Sequence, residues 1–181
     1  ARFYEYPRFT YPWHFHSEYE IIYVEKGEGD CLVGDSIISY SKGDLILFGS
    51  ELPHSMQSPP DDGEESDNEE KSELKVRGVN IQFEKDFMHY SISQYSQFIP
   101  IRNLLEDACR GIKFTITRSG KIIKLLEQIP SAKGADQIIL LLSLLQMMAI
   151  SNHRKYLTTS HYTPSPSIMR NERMKKVIAY L

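Results

Sequence analysis

A mainly β fold followed by helices is the architecture that this 181-residue sequence predicts, and three observations predict it. From residue 3 to about 83, short β-branched and aromatic runs alternate with Gly, Asp, Ser and Pro, the spacing of a sandwich or barrel. After Asp86 the apolar residues change to a helical period. Within the β part lie three histidines and a glutamate whose spacing suits one shared site.

The first strand is predicted over residues 13–24. Alternation of side chains would put His14, His16, Glu20, Ile22 and Val24 on one face. Further runs at Ile37-Ile38, Leu45-Ile46-Leu47-Phe48 and Val79-Asn80-Ile81 read as strands. A strand ending at His54 would bring a third imidazole beside the first two. Three neutral nitrogens and a carboxylate suit a divalent Zn, Fe, Mn or Ni ion, which makes His14, His16, Glu20 and His54 candidate metal ligands. Without an ion, the same four are candidate ligand-binding residues, or His14 and His16 hydrogen-bond within a pocket mouth while Glu20 accepts from a neighbour or ligand and His54 orients a turn. Trp13 joins them as a ring for stacking a sugar face, and Arg8 as a fork for a carboxylate or hydroxyls. Phe15, Tyr19, Tyr23 and Tyr40 are expected mostly in the core.

Pro100 opens the first marked amphipathic helix, with Ile101, Leu104, Leu105, Ala108 and Cys109 on one stripe and Gly111 placed to end it. Ser119 is expected to cap a second, which buries Ile122, Ile123, Leu125, Leu126 and Ile129 before Pro130 stops it. A third, from about Gly134 to Ser151, is apolar nearly all round, more than packing on one surface would use. One face should therefore meet its own subunit and another a partner, with burial in a larger helical layer of the same chain as the alternative. Residues 158–168 are rich in Ser, Thr and Pro and read as a linker. Beyond them Met174, Val177, Ile178 and Leu181 recur at helical spacing, opposite Arg170, Arg173, Lys175 and Lys176.

Apolar content of 41% and charged content of 25% describe a globular chain able to bury a sizeable core. The formal net charge of −3 is unevenly spread. Residues 58–73 hold eight acids and one Lys, so the rest of the chain is net positive, and this stretch reads as a solvated acidic loop. Cys31 and Cys109 lack ligand spacing and are expected to be reduced, buried small hydrophobes. No charged-then-apolar leader opens the sequence, and the run Ile138–Ile150 is too short to span a bilayer, so no membrane association and a cytoplasmic location are expected. No nucleophile elbow, phosphate-cradling Gly loop or defensible Ser-His-Asp order is present.

His14-x-His16-x3-Glu20-x6-Gly27 and Gly43-x5-Gly49-x4-His54 resemble the two motifs of the cupin superfamily. That resemblance implies a double-stranded β-helix barrel. Arg8 stands where the first motif has a leading Gly, and Gly49, Glu51 and Ser58 replace the Pro, Gly and Asn of the second. The wording "WHFHSEYEIIYVEKGEG", "VGDSIISYSKGDLILFGSELPHS", "RGVNIQF" and "ACRGIKFT" is similar to the amino-terminal sensing domain of AraC-type transcription regulators. The closing "RNERMKKVIAYL" resembles the lead-in helix before that family's helix-turn-helix domain, which lies beyond Leu181 if present.

The resemblance implies a cupin-like sensing barrel over residues 1–90, a helical dimerisation region over 91–157, and a linker with the start of the lead-in helix over 158–181. It implies a homodimer, DNA contact only through the helix-turn-helix domain, and a small-molecule effector, plausibly a carbohydrate. Sensing requires neither catalysis nor a cofactor. The competing reading from another class is a metal-dependent cupin enzyme, an isomerase or dioxygenase, with the ion as Lewis acid or oxygen-activating centre.

Overall fold

The computed structural model describes residues 1–59, 76–116 and 120–163. In chain order come β1 (Arg2–Tyr6), β2 (Tyr19–Lys26), β3 (Gly29–Val33), β4 (Ser36–Tyr40), β5 (Asp44–Phe48), β6 (His54–Gln57) and β7 (Val76–Phe83). Then follow α1 (His89–Gln94), α2 (Ile99–Asp107), β8 (Ile112–Thr115), α3 (Gly120–Gln128), α4 (Ala135–Ala149) and β9 (Arg154–Tyr156). Two antiparallel sheets result, one ordered β1-β7-β2-β5-β8-β9 and the other β4-β3-β6.

Successive side chains of a strand point to opposite faces, and here both faces of the large sheet are covered. Ile21, Leu45, Leu47 and Ile81 pack beneath the helices with Leu104, Leu126, Leu144 and Leu145. Ile22, Val24, Ile46 and Phe48 point the other way, into a second core shared with Cys31, Val33 and Met56 of the small sheet. This double burial explains why β5 is the unbroken run Asp-Leu-Ile-Leu-Phe, every residue of it buried. Each large aliphatic side chain removed from water contributes about 1.5 to 3 kcal/mol, so these central strands anchor both layers.

Several sequence expectations are corrected. The strand expected over residues 13–24 begins only at Tyr19, so His14 and His16 precede it. His14 instead exchanges backbone hydrogen bonds with His54, an isolated bridge at the start of β6. His54 opens β6 rather than ending a strand. The region after Asp86 is not wholly helical: β8 pairs with β5, and β9 pairs with β8. Cys31 is buried as expected, whereas Cys109 is only half-buried.

Helix α4 packs on α2 and α3, burying Leu141, Leu144, Leu145 and Met148. Its other side leaves Ile138 and Ile139 exposed, and Ile150 follows exposed at its end. The expected linker is docked over its first part, since Thr158 and Tyr162 are buried. The expected Ser119 cap, most of the acidic stretch 58–73, the rest of the linker and the helix beyond Arg170 lie outside the described residues. Among the described residues, no helix is long and apolar enough to cross a membrane.

Candidate functional site

A pocket of about 520 Å³, its open mouth included, lies between the two sheets. Its walls follow from strand alternation. The inward row of β1 is Arg2, Tyr4 and Tyr6, and Asn80 and Gln82 of β7 and Glu20 and Ile22 of β2 point into the same space. Phe9 and Tyr11 close it from the segment after β1, with His14, His54 and Met56 opposite. The rings of Tyr4, Tyr6, Phe9 and Tyr11 form one continuous aromatic wall with neighbouring centroids 5.3 to 6.4 Å apart. Glu20, Asn80, Gln82 and the two histidines form the polar wall.

Glu20 is the centre of that polar wall and is only 5% exposed. Its Oε1 accepts from Asn80 Nδ2 and from Gln82 Nε2 at 3.2 Å. Its Oε2 lies 2.9 Å from His54 Nε2 and 3.4 Å from His16 Nε2. Burial pushes the Glu20 carboxyl up, but the hydrogen bonds of His16, His54 and Asn80 and the charge of His54 outweigh it. The group is held well below the usual carboxylate range. His16 is raised, chiefly by its hydrogen bond to Glu20, while burial lowers His14.

All three imidazoles are oriented from behind. His14 Nδ1 meets the Pro12 carbonyl at 2.9 Å, His16 Nδ1 the Glu18 carbonyl at 3.1 Å, and His54 Nδ1 the Leu52 carbonyl at 2.8 Å. A carbonyl only accepts, so each Nδ1 is the donor, as in histidines whose outer nitrogen is fixed while the inner one serves a site. His54 is further pinned by stacking on Phe48, with centroids 4.1 Å apart. One ligand atom from each of His14, His16, Glu20 and His54 falls within 4.8 Å of the others. This three-nitrogen, one-oxygen set fits a divalent transition metal, and those four residues could hold one.

The structure therefore brings four of the six sequence-derived candidates together. Trp13 is half-buried and does not line the pocket. Arg8 does not line it either: its Nη2 donates to the Pro59 carbonyl at 3.0 Å, beside a separate open depression with Tyr40 and Ser58. Sequence reasoning missed Asn80, Gln82 and the wall of Tyr4, Tyr6, Phe9 and Tyr11. The strand run around Val79 and Ile81 carried a signal for the first two, because residues alternating with a buried apolar set must face the other layer.

No curated protein sequence matches this chain. Among solved structures it is similar to ToxT of Vibrio cholerae strain SCE256 with unsaturated fatty acid bound, at 16% identity and a TM-score of 0.50, covering 81% of this chain and 50% of that one. It is also similar to ToxT of Vibrio cholerae O395 bound to (E)-4-(8-methylnaphthalen-1-yl)but-3-enoic acid, at 12% identity and a TM-score of 0.53, covering 99% and 64%. The chain thus spans half to about two thirds of those proteins, and at such identity the likeness is one of fold. The family model described as the AraC-like ligand binding domain matches residues 1–67. These residues supply β1 to β6 and, with them, Glu20, the three histidines and the aromatic wall. Over residues 1–67, then, this chain is similar to an AraC-like ligand binding domain.

Proposed function

We propose that this chain is the effector-sensing part of a DNA-binding transcription regulator, with a small molecule seated in the pocket between the sheets. The observation that carries this reading is the division of the pocket into an aromatic wall and a polar wall. Sensing requires only that the molecule bind two states of the protein with different affinity. A carbohydrate suits the division, since hydroxyls exchange with amide and carboxylate groups while a sugar face lies on a ring. DNA contact belongs, in this reading, to a helix-turn-helix domain following Leu181. The exposed Ile138, Ile139 and Ile150 on and beside α4 support a homodimer formed through that helix.

A second effector class is favoured by a specific observation: the two ToxT structures hold apolar acids. Here the ring wall would take the apolar body and Arg2, exposed at the mouth, the carboxylate. Glu20 weighs against an acid group at the polar wall. A thermal-shift screen of pentoses, hexoses and a monounsaturated fatty acid separates the two. A sugar that raises the melting temperature of the wild type but not of Glu20→Gln supports the carbohydrate reading. A fatty acid whose effect survives Glu20→Gln and is lost in Arg2→Ala replaces it. No shift from either class counts against the pocket as the sensing site.

The convergence of His14, His16, Glu20 and His54 also supports a bound divalent ion. Such an ion would supply Lewis-acid polarisation of a ligand oxygen, the chemistry on which the metal-dependent enzyme reading rests. Metal analysis of the purified chain tests this: stoichiometric metal, lost in His16→Ala, is the expected result.

A further inference from the structure

The segment after β9 is built onto the barrel by contacts that the sensing site does not use. Leu157 N–H donates to the Gly111 carbonyl at 3.0 Å, and Thr158 N–H to the Arg110 carbonyl at 3.1 Å. Arg110 Nη2 returns a bond to the Thr158 carbonyl at 3.2 Å. Thr159 then gives both its backbone N–H and its hydroxyl to the Asp35 carboxylate, 124 residues earlier in the chain. Leu157 and Tyr162 enter the same apolar core as Met56 of the pocket wall.

The seat of this strap is the turn between β3 and β4. Gly34 has φ +56°, and a Cβ there would run into Thr158 and Tyr162, so the strap lies directly on the turn backbone. The same turn is tied to the pocket by two short links. Gly34 N–H donates to the Pro53 carbonyl at 2.9 Å, and Val33 is the β-ladder partner of His54. A shift of His54 therefore moves the surface on which the strap rests.

The strap is also incompletely matched. Thr158 Oγ1 and Tyr162 OH are buried with no hydrogen-bond partner among the described residues. An unmatched buried hydroxyl weighs against the docked state, so the strap is held less tightly than its other contacts alone would hold it.

We propose that residues 157–162 are a latch on the Gly34–Asp35 turn, and that its engagement and the position of the pocket wall at His54 are two faces of one equilibrium. Resting on the sensing reading, this latch would carry pocket occupancy to the chain beyond residue 163. Coupling of this kind is reciprocal: a change at either end must appear at the other.

Amide hydrogen exchange on the 181-residue chain tests this without any effector. Asp35→Ala alters an exposed turn residue and should speed exchange at Leu157, Thr158 and Tyr162 by at least about tenfold. The coupling requires that it also speed exchange at His14 and His54, whose amides bond to each other's carbonyls, while α4 amides stay unchanged. In the reverse direction His54→Phe, which keeps the ring on Phe48, should speed exchange at Thr158 and Thr159. Met56→Ala on the same strand serves if His54→Phe loses the fold. An effect confined to the mutated end in either direction overturns the latch. Because no small molecule is added, that failure is separate from a failure of pocket sensing, which the thermal-shift screen decides.

Discussion

Glu20 gathers hydrogen bonds from β7, β6 and the segment before β2 onto one carboxylate, so its removal strands Asn80 and His54 inside the pocket wall. Breaking a buried charged network by deleting one partner costs about 3 kcal/mol or more, and Glu20→Ala should lose that much in denaturant unfolding with a chelator present. Gly78 is a different kind of constraint. A Cβ there would collide with the Tyr23 carbonyl oxygen of the paired strand, and backbone cannot step aside. Gly78→Ala should therefore unfold the chain or lower its melting temperature more than any pocket substitution, as circular dichroism would show. The His-Glu set was legible in the sequence because four residues of metal-binding type at fixed spacings are improbable as core packing. Alternation with Val79 and Ile81 gave Asn80 and Gln82 their face but not their role, because amides have no such signature and act on Glu20 across 60 and 62 residues.

Elements differ in how much of themselves they write into sequence. The runs at Ile21, Leu45 and Val79 announced β2, β5 and β7 because both faces of these strands are apolar or site-lining. β8 and β9 have four and three residues, too few to show a period; β8 forms on the edge that β5 offers, and β9 on β8. On α4 the apolar excess was visible, and its two sides separate by substitution. Leu145→Ala, at a fully buried position, should cost about 2 to 5 kcal/mol. Ile139→Glu, at a position 58% exposed, should leave stability within about 0.5 kcal/mol, and the proposed homodimer requires that it move the sedimentation profile from dimer to monomer. The strap carries a pH dependence of known sign. Burial raises Asp35, but the hydrogen bonds from Thr159 and Ser36 outweigh it and hold the carboxyl below its usual value. A group depressed in the folded state stabilises above its unfolded value, and that contribution fades as pH falls through the folded one. Exchange protection of Leu157 and Thr158 should therefore drop below about pH 4 in the wild type, and more weakly in Asp35→Asn.

At the scale of the molecule, the large sheet is a partition between two apolar cores, and neither core closes without it. The helix-side core takes residues from β2, β5 and β7 and equally from α2, α3 and α4. A fragment ending at residue 90 would expose Ile21, Leu45, Leu47 and Ile81 and lose the strand that pairs with β5. It should lack the dispersed amide spectrum of a folded protein, whereas residues 1–163 should unfold in one cooperative transition. The overall class, strands then helices, was readable from the change of period at Asp86. The interleaving of the two regions was not, since it depends on pairings made after residue 110.

The two cysteines offer a practical handle on all of this. Cys31 sits in the inter-sheet core, and burial pushes its thiol up to about 12, which leaves almost no thiolate to react. Cys109 is half-buried and adjoins Arg110, the residue that grips the strap. Burial raises the Cys109 thiol as well, but its partial exposure should let a maleimide fluorophore label it in preference to Cys31, giving an optical reporter at the foot of the strap with no engineered residue.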